Sequence, residues 1–587
     1  MRNKILWMLV SCVMALSLVL ASCAPAVVEE EEEVAPPVDE EEVVEEKAVP
    51  KVEEPKYGGT LRLVRSASPV GFDPGLTNWS IDNFVGHCYE KPLAGDIDKY
   101  GPRGENLFPF CYWGGVAPLD YTKPQLIEGW EFTDPMTLVY HVRQGVHFQN
   151  KPPVNGREMD AEDVALSLRR IWEVPRFNTG YWSFVDSVEA IDKWTVQFKL
   201  NKFDSAWKWM LGYGWYTMVI PRELVEQDLA NKWEYVCGTG PFILTDYVTD
   251  TAVNFKKNPD YWDTTTIAGK EYKLPFVDRF TIYIIKDVPT SVAAFRTGKV
   301  DVGMNWMPTE ALPMLESHPE LEHISHDCAG SLMVIHIQCD GGPTEDLRVR
   351  RALMLALDNQ AMLDKLHMGD GLLMQNPWLQ EGFPSYVPLE ELPADIRELA
   401  EYHPDKAKQL LEEAGYPDGF KIKMMSPTWD FAQDNAAVCA AYWEDIGVHC
   451  EIDTRDMGIL FATFYAGKQP ALMQINRGGL HLCESQAETN PDSLWNIGRW
   501  IDPEFHGYLD NALAAREPAE RDRWLKEMNL RFMRQVPMIF LPNPATRTLW
   551  WPWVKNYYGE AETEFATLNT PFMRIWIDQE LKKEMGY

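Results

Sequence analysis

The sequence lacks the short motifs that mark the common classes of enzyme. It contains no HExxH, no GxSxG, no Walker loop and no GxGxxG ahead of a predicted helix, so nothing in it signals a zinc protease, a serine hydrolase or a nucleotide-binding enzyme. None of its 10 cysteines is spaced as CxxC, which argues against a structural zinc cluster. Among 88 acidic residues, close carboxylate pairs arise by chance and do not identify a glycosidase.

Basic residues are scarce as well. The chain has 55 lysines and arginines against 88 acidic residues, which gives a net charge of -33. A surface of this sign repels the phosphates of nucleic acids and of anionic lipids. We therefore expect no nucleic-acid partner.

The amino terminus has an apolar run that is too short to span a membrane. Arg2 and Lys4 precede the run Ile5–Leu20, which ends in Leu-Ala-Ser before Cys23. This pattern predicts an export signal over residues 1–22. The small residues before the cysteine resemble the lipobox of bacterial lipoproteins, which implies cleavage before Cys23 and acylation of its thiol. An ordinary cleavable signal is the alternative.

An acidic segment follows the export signal. Residues 24–56 contain 13 acidic residues and 3 lysines, with several prolines among them. Like charges and prolines keep such a chain extended and leave it without a core. Residues 23–56 are thus predicted to tether the folded body to a membrane surface.

The folded body contains eight cysteines and is rich in tryptophan. An even number of cysteines permits disulfides in an exported protein, but the sequence does not determine their pairing. The whole chain has 23 tryptophans. Most of them are expected to pack in cores and domain interfaces, because ligand sites are few per protein.

The stretch Cys237–Asp263 predicts a β-hairpin. Gly238 and Gly240 allow a tight turn before a strand over residues 242–247, and a second strand over 252–256 follows a polar tip. Asn258-Pro259-Asp260 then forms a turn. Elsewhere strands alternate with amphipathic helices, such as the helix that Asp160 caps, which indicates an α/β protein.

Several motifs, in order along the chain, resemble the family 5 extracytoplasmic solute-binding proteins of ABC importers, which include dipeptide, oligopeptide and nickel binders. The resemblance covers residues 57–587. It rests on AEDV at 161–164, GTGPF at 238–242, NPDYW at 258–262, VRRALMLALD at 349–358 and DKAKQLLEEAGYPDGF at 405–420.

The resemblance implies a type II periplasmic-binding-protein-like α/β fold, with two lobes built from three domains that have mixed sheets. The predicted boundaries are 57–85, 233–307 and 536–587 for domain I, 86–232 for the smaller domain II, and 308–535 for domain III. In this interpretation the strand Val536–Leu541 returns the chain to domain I.

The family also implies a function without chemistry. A monomer would capture a small solute, a peptide or an oligosaccharide, between its lobes and deliver it to a membrane-embedded permease with ATPase subunits. Cys23 would hold the protein outside the cytoplasm, at the cell membrane. No cofactor and no metal are expected.

Candidate ligand-binding residues follow from the same resemblance. Tryptophans beside segments that face the cleft in relatives are Trp79, Trp182, Trp306 and Trp378, and Asn305 adjoins the third of them. Peptide-binding members place an aspartate, which pairs with the ligand ammonium, in the segment that matches ALMQINRGG at 471–479. Here the matching positions hold Asn476, Arg477, Gly478 and Gly479.

The missing aspartate leaves the solute open. An arginine at position 477 would favour a carboxylate or a hydroxyl-rich ligand, unless it pairs with a neighbouring acid. Three hypotheses therefore stand. A peptide-binding subunit is the prediction, because it is the commonest use of the family; the alternatives are a subunit for an oligosaccharide or other non-peptide solute, which the missing aspartate and the many tryptophans favour, and a secreted hydrolase. His481-Leu482-Cys483-Glu484 holds metal-ligand residue types, but a structural role is expected there.

Overall fold

The structure is a computed structural model, in which Met1–Glu53 and Glu54–Tyr587 are separate units. It describes residues 53–587 apart from 76–82, 112–116, 175–181, 215, 327–330, 375–381, 479–481, 483–484, 486–488, 492, 494, 562 and 565–568. Within these ranges, no helix has the length and apolar character needed to cross a bilayer. Everything below concerns the second unit.

The strands belong to three main sheets and several two-stranded ribbons. In chain order they are β1 (Thr60–Arg65), β2 (Leu93–Gly95), β3 (Thr122–Pro124), β4 (Ile127–Asp134), β5 (Thr137–Val142), β6 (Val185–Asp192), β7 (Thr195–Leu200), β8 (Phe242–Val248), β9 (Ala252–Lys257), β10 (Thr264–Ile267), β11 (Lys270–Lys273), β12 (Arg279–Ile284), β13 (Val302–Trp306), β14 (Glu322–His326), β15 (Ser331–Ile337), β16 (Gly371–Leu372), β17 (Phe420–Pro427), β18 (Val448–Arg455), β19 (Leu472–Gly478), β20 (Met538–Phe540), β21 (Asn543–Pro544), β22 (Thr546–Trp550), β23 (Val554–Lys555) and β24 (Trp576–Ile577).

The α-helices connect and cover these strands. They are α1 (Ala161–Trp172), α2 (Arg222–Glu226), α3 (Val288–Arg296), α4 (Pro308–Ser317), α5 (Leu347–Leu355), α6 (Asn359–His367), α7 (Ala394–Arg397), α8 (Pro404–Glu413), α9 (Asp430–Glu444), α10 (Met457–Tyr465), α11 (Pro503–Ala514), α12 (Pro518–Gln535), α13 (Asn569–Phe572) and α14 (Gln579–Glu584).

The first sheet has seven strands in the order β14-β22-β13-β1-β12-β9-β8. Its edge hairpin, β8 and β9, confirms the hairpin predicted from the sequence. The turn before it needs glycine, because a Cβ atom on Gly238 would lie 2.1 Å from the carbonyl oxygen of Cys88. The amide of Gly240 donates to that same oxygen at 2.8 Å, so the turn is held against the backbone at Cys88.

The second sheet, β4-β5-β7-β6, carries helix α1 on one face. Asp160 caps this helix as predicted: its side chain accepts from the amides of Glu162 and Asp163, and the Asp163 carboxylate accepts from the Asp160 amide. Asp163 is buried, and Arg157 neutralises it through two hydrogen bonds of 2.8 Å. The buried stripe of α1 contains the residues the helical pattern predicted, Ala161, Val164, Ala165, Leu168 and Ile171.

The third sheet has the order β18-β17-β19-β15-β20. β17 runs parallel to β18 and β19, whereas β15 is antiparallel to β19 and β20. Residues 331–540 form one continuous stretch that contains this whole sheet, and we call it the third-sheet module. The chain enters the module across residues 327–330 and leaves it across residues 541–545.

The positions at which the chain enters and leaves the third-sheet module differ from two domain boundaries predicted from the sequence. Domain III was placed from residue 308, but β14 is the edge strand of the first sheet, where it pairs with β22 over five residues. The strand Val536–Leu541 was predicted to rejoin domain I, yet β20 pairs with β15 in the third sheet. In both cases a strand partner distant in sequence decides the assignment.

The described cysteines are all free thiols. They are Cys88, Cys111, Cys237, Cys339, Cys439 and Cys450. Several tryptophans fill the cores, as expected: Trp209, Trp443, Trp551 and Trp553 are fully buried, and the last two stack with their ring centroids 4.7 Å apart.

Candidate functional site

The carboxyl ends of parallel strands form one edge of the first sheet and one edge of the third. β1, β12 and β13 run in the same direction and end at Arg65, Ile284 and Trp306. In the third sheet, the parallel strands β18 and β19 end at Arg455 and Gly478. Ligands of open α/β sheets bind outside the carboxyl ends of the strands, so these edges are the candidate walls of a site.

The crossing segments connect these same two edges. His326 ends β14 opposite Thr546, the first residue of β22. Ser331 begins β15 opposite Gly478 at the end of β19. The two carboxyl edges are therefore consecutive along the chain, and the region between them is the candidate cleft.

Asn305 lies at the first-sheet edge in an uncommon backbone conformation. Its φ is +58°, and it falls in an irregularity of the β13–β22 pairing between Gly303 and Trp306. The side-chain Oδ1 is buried and has no hydrogen-bond partner among the described residues. A buried acceptor without a partner is costly, so this oxygen is a candidate contact for a bound solute or water.

The two described candidate tryptophans are both buried. Trp306 is 8% exposed and packs edge-on against Phe295 at 5.0 Å. Its indole lies 2.8 Å from where a Cβ atom on Gly303 would be, so this glycine makes room for it. Trp182 is 3% exposed and belongs to the main hydrophobic core ahead of β6. Both indoles contribute to core packing.

Residues 472–478 of the segment ALMQINRGG form the whole of β19. Asn476, Arg477 and Gly478 pair with Met333, Leu332 and Ser331 of β15. The backbone thus brings these candidates to the edge of the third sheet that faces the cleft. The side chains of these three residues lie outside the part of the chain that the structure describes.

Other sequence candidates fall outside the described residues. They are Cys23, Trp79, Trp378, Gly479, His481 and Glu484. The described residues contain no group of three histidine, cysteine or acidic side chains that could hold a metal ion.

Sequence reasoning missed four polar residues near the two edges. In the third sheet, the hydroxyl of Ser426 donates to Oε1 of Gln474 at 2.7 Å, while the Gln474 amide nitrogen has no described partner. Two more polar atoms have no described partner: Nδ2 of Asn543, in the second crossing, and Oγ1 of Thr546, directly after it. All four residues are buried. A single buried polar residue within a strand gives no local sequence signal, which explains the omission.

His326, at the start of the first crossing, has a defined charge state. Burial, together with a smaller contribution from the positive charge of Arg547, lowers the pKa of His326 to about 3. The imidazole is therefore neutral at pH 7, with Nε2 3.1 Å from the Thr548 hydroxyl. Arg547 itself pairs with Asp370 of the third-sheet module.

The Asp370–Arg547 pair is part of a junction between the module and the second crossing. The backbone carbonyl of Asp370 accepts from the amide of Ala545 at 3.0 Å. The next residue, Gly371, pairs with Pro544, and a Cβ atom there would lie 2.1 Å from the carbonyl oxygen of Asn543. This junction fixes the crossing beside the cleft.

A model of the middle region of bacterial extracellular solute-binding proteins, family 5, matches residues 122–476. The chain is similar to the dipeptide-binding protein of Pseudomonas aeruginosa, with 26% identity over 537 residues, 85% of this chain and 92% of the relative. It is also similar to heme-binding protein A of Haemophilus influenzae, with 25% identity over 74% of this chain and 81% of the relative.

A solved structure has the same fold. The periplasmic binding protein DppA from Helicobacter pylori, in complex with the peptide STSA, superposes with a TM-score of 0.71 at 19% identity. The match covers 89% of this chain and 99% of that one. The two-lobed α/β architecture expected from the sequence is thereby confirmed.

Proposed function

The chain belongs to the bacterial extracellular solute-binding proteins of family 5, and from this premise we propose that it binds a peptide in the cleft between its lobes. It then delivers the peptide to the membrane permease of an ABC importer, whose ATPase subunits supply the energy. The protein catalyses no reaction itself. A dipeptide-binding relative that matches most of both chains supports the peptide as ligand.

One observation carries this proposal: near the carboxyl edges of both sheets, polar atoms are buried without a hydrogen-bond partner among the residues that the structure describes. Asn305 Oδ1 and Thr546 Oγ1 are on the first-sheet side, and Gln474 Nε2 is on the third-sheet side. A peptide offers amide donors and carbonyl acceptors that match such groups. Satisfying them removes the free-energy cost of leaving them unpaired.

Arg477 is proposed to receive the carboxylate of the peptide. The segment offers no aspartate for the ammonium group, and a guanidinium binds a carboxylate through two parallel hydrogen bonds. Its place near the end of β19 brings it to the cleft edge. Asn476, Gly478 and Gly479 would supply neighbouring backbone or amide contacts, and Trp79 and Trp378 apolar ones.

A second candidate is the same transport role for a non-peptide solute, such as an oligosaccharide. The relative described as heme-binding supports this alternative, as does the absence of the aspartate. A secreted hydrolase would require product formation from a peptide or sugar.

The amino-terminal segments are proposed to place the protein at the cell membrane, outside the cytoplasm. Residues 1–22 direct export, acylated Cys23 anchors the chain, and the acidic residues up to 56 act as a tether. The folded body would work as a monomer.

Titration calorimetry with dipeptides, tripeptides and oligosaccharides tests the ligand class. We expect binding of peptides, weakened about tenfold to a hundredfold by Arg477→Gln, because a charged hydrogen bond contributes about 1.5 to 3 kcal/mol. Arg348→Gln is the control, since Arg348 lies at the start of α5, away from the strand ends, and pairs with Asp346. Binding of oligosaccharides alone would contradict the peptide proposal.

A further inference from the structure

The third-sheet module contacts the rest of the body at a place separate from the two crossings. These contacts join the link between α11 and α12, and the helix residues beside it, to segments next to the second sheet. The partners are 307 to 401 residues apart in sequence, so these contacts join the module to a distant part of the body.

Arg516 makes two of these contacts. Its guanidinium donates to the backbone carbonyl of Pro135 at 3.0 Å, in the turn between β4 and β5. The same group lies over the ring of Phe203, 4.1 Å from its centroid. Stacking of an arginine on an aromatic face adds to the hydrogen bond.

Ser205 makes two more contacts through backbone and side chain. Its amide donates to the carbonyl of Leu513 at 2.8 Å, and its hydroxyl donates to the carbonyl of Ala512 at 2.8 Å. Both acceptors lie in the last turn of α11, where carbonyl groups have no partner within the helix. The second-sheet side thus caps a helix of the other lobe.

An ion pair completes the set. Arg521 of α12 donates to Asp120 at 2.8 Å, and the same guanidinium also pairs with Asp522. The Arg521 side chain is 8% exposed, whereas that of Asp120 is 39% exposed. The arginine is therefore held in place by its own helix, and Asp120 reaches it from the other lobe.

We propose that Asp120, Ser205, Arg516 and Arg521 form a clasp that holds the two lobes closed and so sets the affinity for every solute. The clasp lies outside the cleft walls. Its proposed role depends on the proposed function in one respect, that a solute binds between the lobes. Because it acts on closure, weakening it should raise the Kd of chemically different solutes by the same factor.

The test uses the full chain in detergent and the double variant Asp120→Asn, Arg516→Ala. Both residues have exposed or half-exposed side chains, so the substitutions are compatible with folding. Arg534→Ala is the matched control, because Arg534 also lies on α12 and pairs at 2.8 Å, but with Asp395 inside the module. Each single variant is measured as well, in case the double variant is unfolded by circular dichroism.

The first readout needs no ligand. Hydrogen exchange at the Ser205 amide reports the clasp directly, because this amide donates across the two lobes. We expect about tenfold faster exchange in the double variant, with exchange in the β8–β9 hairpin unchanged. Equal exchange in wild type and double variant, or the same acceleration in Arg534→Ala, would overturn the proposal.

The second readout is the Kd for dialanine, leucyl-leucine and trialanine. The clasp predicts about a tenfold weakening that is the same for all three. A weakening confined to one peptide would overturn it, since that result indicates a direct ligand contact. If none of the three binds wild type while Ser205 exchange still rises in the variant, the clasp stands and the peptide function fails.

Discussion

His87 is enclosed by four phenylalanine rings in the body of the first sheet. The ring centroids of Phe280, Phe255, Phe572 and Phe242 lie 4.5, 5.6, 6.0 and 6.5 Å from that of the imidazole. Both ring nitrogens are buried without a hydrogen-bond partner in the described part of the chain. Burial lowers the pKa of His87 to about 3, with a smaller contribution from Arg65.

This histidine makes stability depend on pH. The folded-state pKa lies below the ordinary value of 6.5, so between these values the unfolded chain binds a proton that the folded chain excludes. The stabilising contribution is complete above about pH 6.5 and is lost as the pH falls towards 3. At pH 5 the loss is about 2 kcal/mol relative to pH 7.

We expect His87→Phe to remove that loss. Denaturant unfolding at pH 7 and pH 5 should show a difference about 2 kcal/mol smaller for the variant than for wild type. His323→Phe, at an exposed position of β14, serves as the control and should leave the difference unchanged. An unaltered pH dependence in His87→Phe would show that the imidazole gains a partner in solution.

At the scale of elements, a buried carboxylate anchors the last helix to the first sheet. Asp301 accepts from the Arg62 amide at 2.9 Å, from Nε1 of Trp553 at 2.9 Å and from the Lys582 ammonium of α14 at 2.6 Å. Its side chain has no exposed area. The Asp301 carboxylate therefore connects β1, the region between β22 and β23, and α14.

Replacing this carboxylate should be costly. We expect Asp301→Asn to lower the free energy of unfolding by about 3 to 5 kcal/mol, because the largely shielded Lys582 ammonium, whose side chain is 15% exposed, is left without its counter-charge. Asp278→Asn is the matched control: Asp278 and Lys257 are also 2.6 Å apart, but both are more than a third exposed. The control should lose about 0 to 1 kcal/mol, and urea unfolding of both variants provides the comparison.

Elements whose signals are local could be predicted from the sequence. The cap and buried stripe of α1 depend on residues within three or four positions of each other, and the β8–β9 hairpin depends on its own turns. Two predictions were wrong: the start of domain III at residue 308 and the return of Val536–Leu541 to domain I. They failed because β14 and β20 pair with strands that are far away in the chain.

The candidate site follows the same rule. Asn305 and the stretch Asn476–Gly478 lie on the two carboxyl edges because they end strands that a known family shares. Gln474, Asn543 and Thr546 were missed because their unpaired atoms arise only from the tertiary packing around them. Burial of Trp306 likewise depends on Phe295 and Gly303, which no local pattern links to it.

At the scale of the whole molecule, the Asp370–Arg547 junction fixes the second crossing against the module. Arg547 is 11% exposed and Asp370 is 25% exposed, so the pair is largely shielded from water. Loss of the carboxylate should loosen the crossing and let it open locally.

We expect Asp370→Asn to increase proteolytic cleavage between residues 541 and 547 by about tenfold. If the substitution lowers the free energy of local opening by about 1.4 kcal/mol, the population of the open form rises by that factor. Mass spectrometry of the fragments identifies the cleavage site. Asp364→Asn is the control. Among the described residues, the Asp364 carboxylate accepts a hydrogen bond only from Gln360, which lies in the same helix, α6. Equal cleavage in the two variants would argue against the junction as the restraint.

The first sheet takes its strand β22 from residues 546–550, after the whole module has been inserted between β14 and its partner. During synthesis the ribosome must therefore release nearly the entire chain before the sheet can be completed. Pairing across such a separation is slow. The first sheet of a chain with this topology stays incomplete while the chain is being made, and a chain whose main sheet has not yet formed can still be threaded across a membrane.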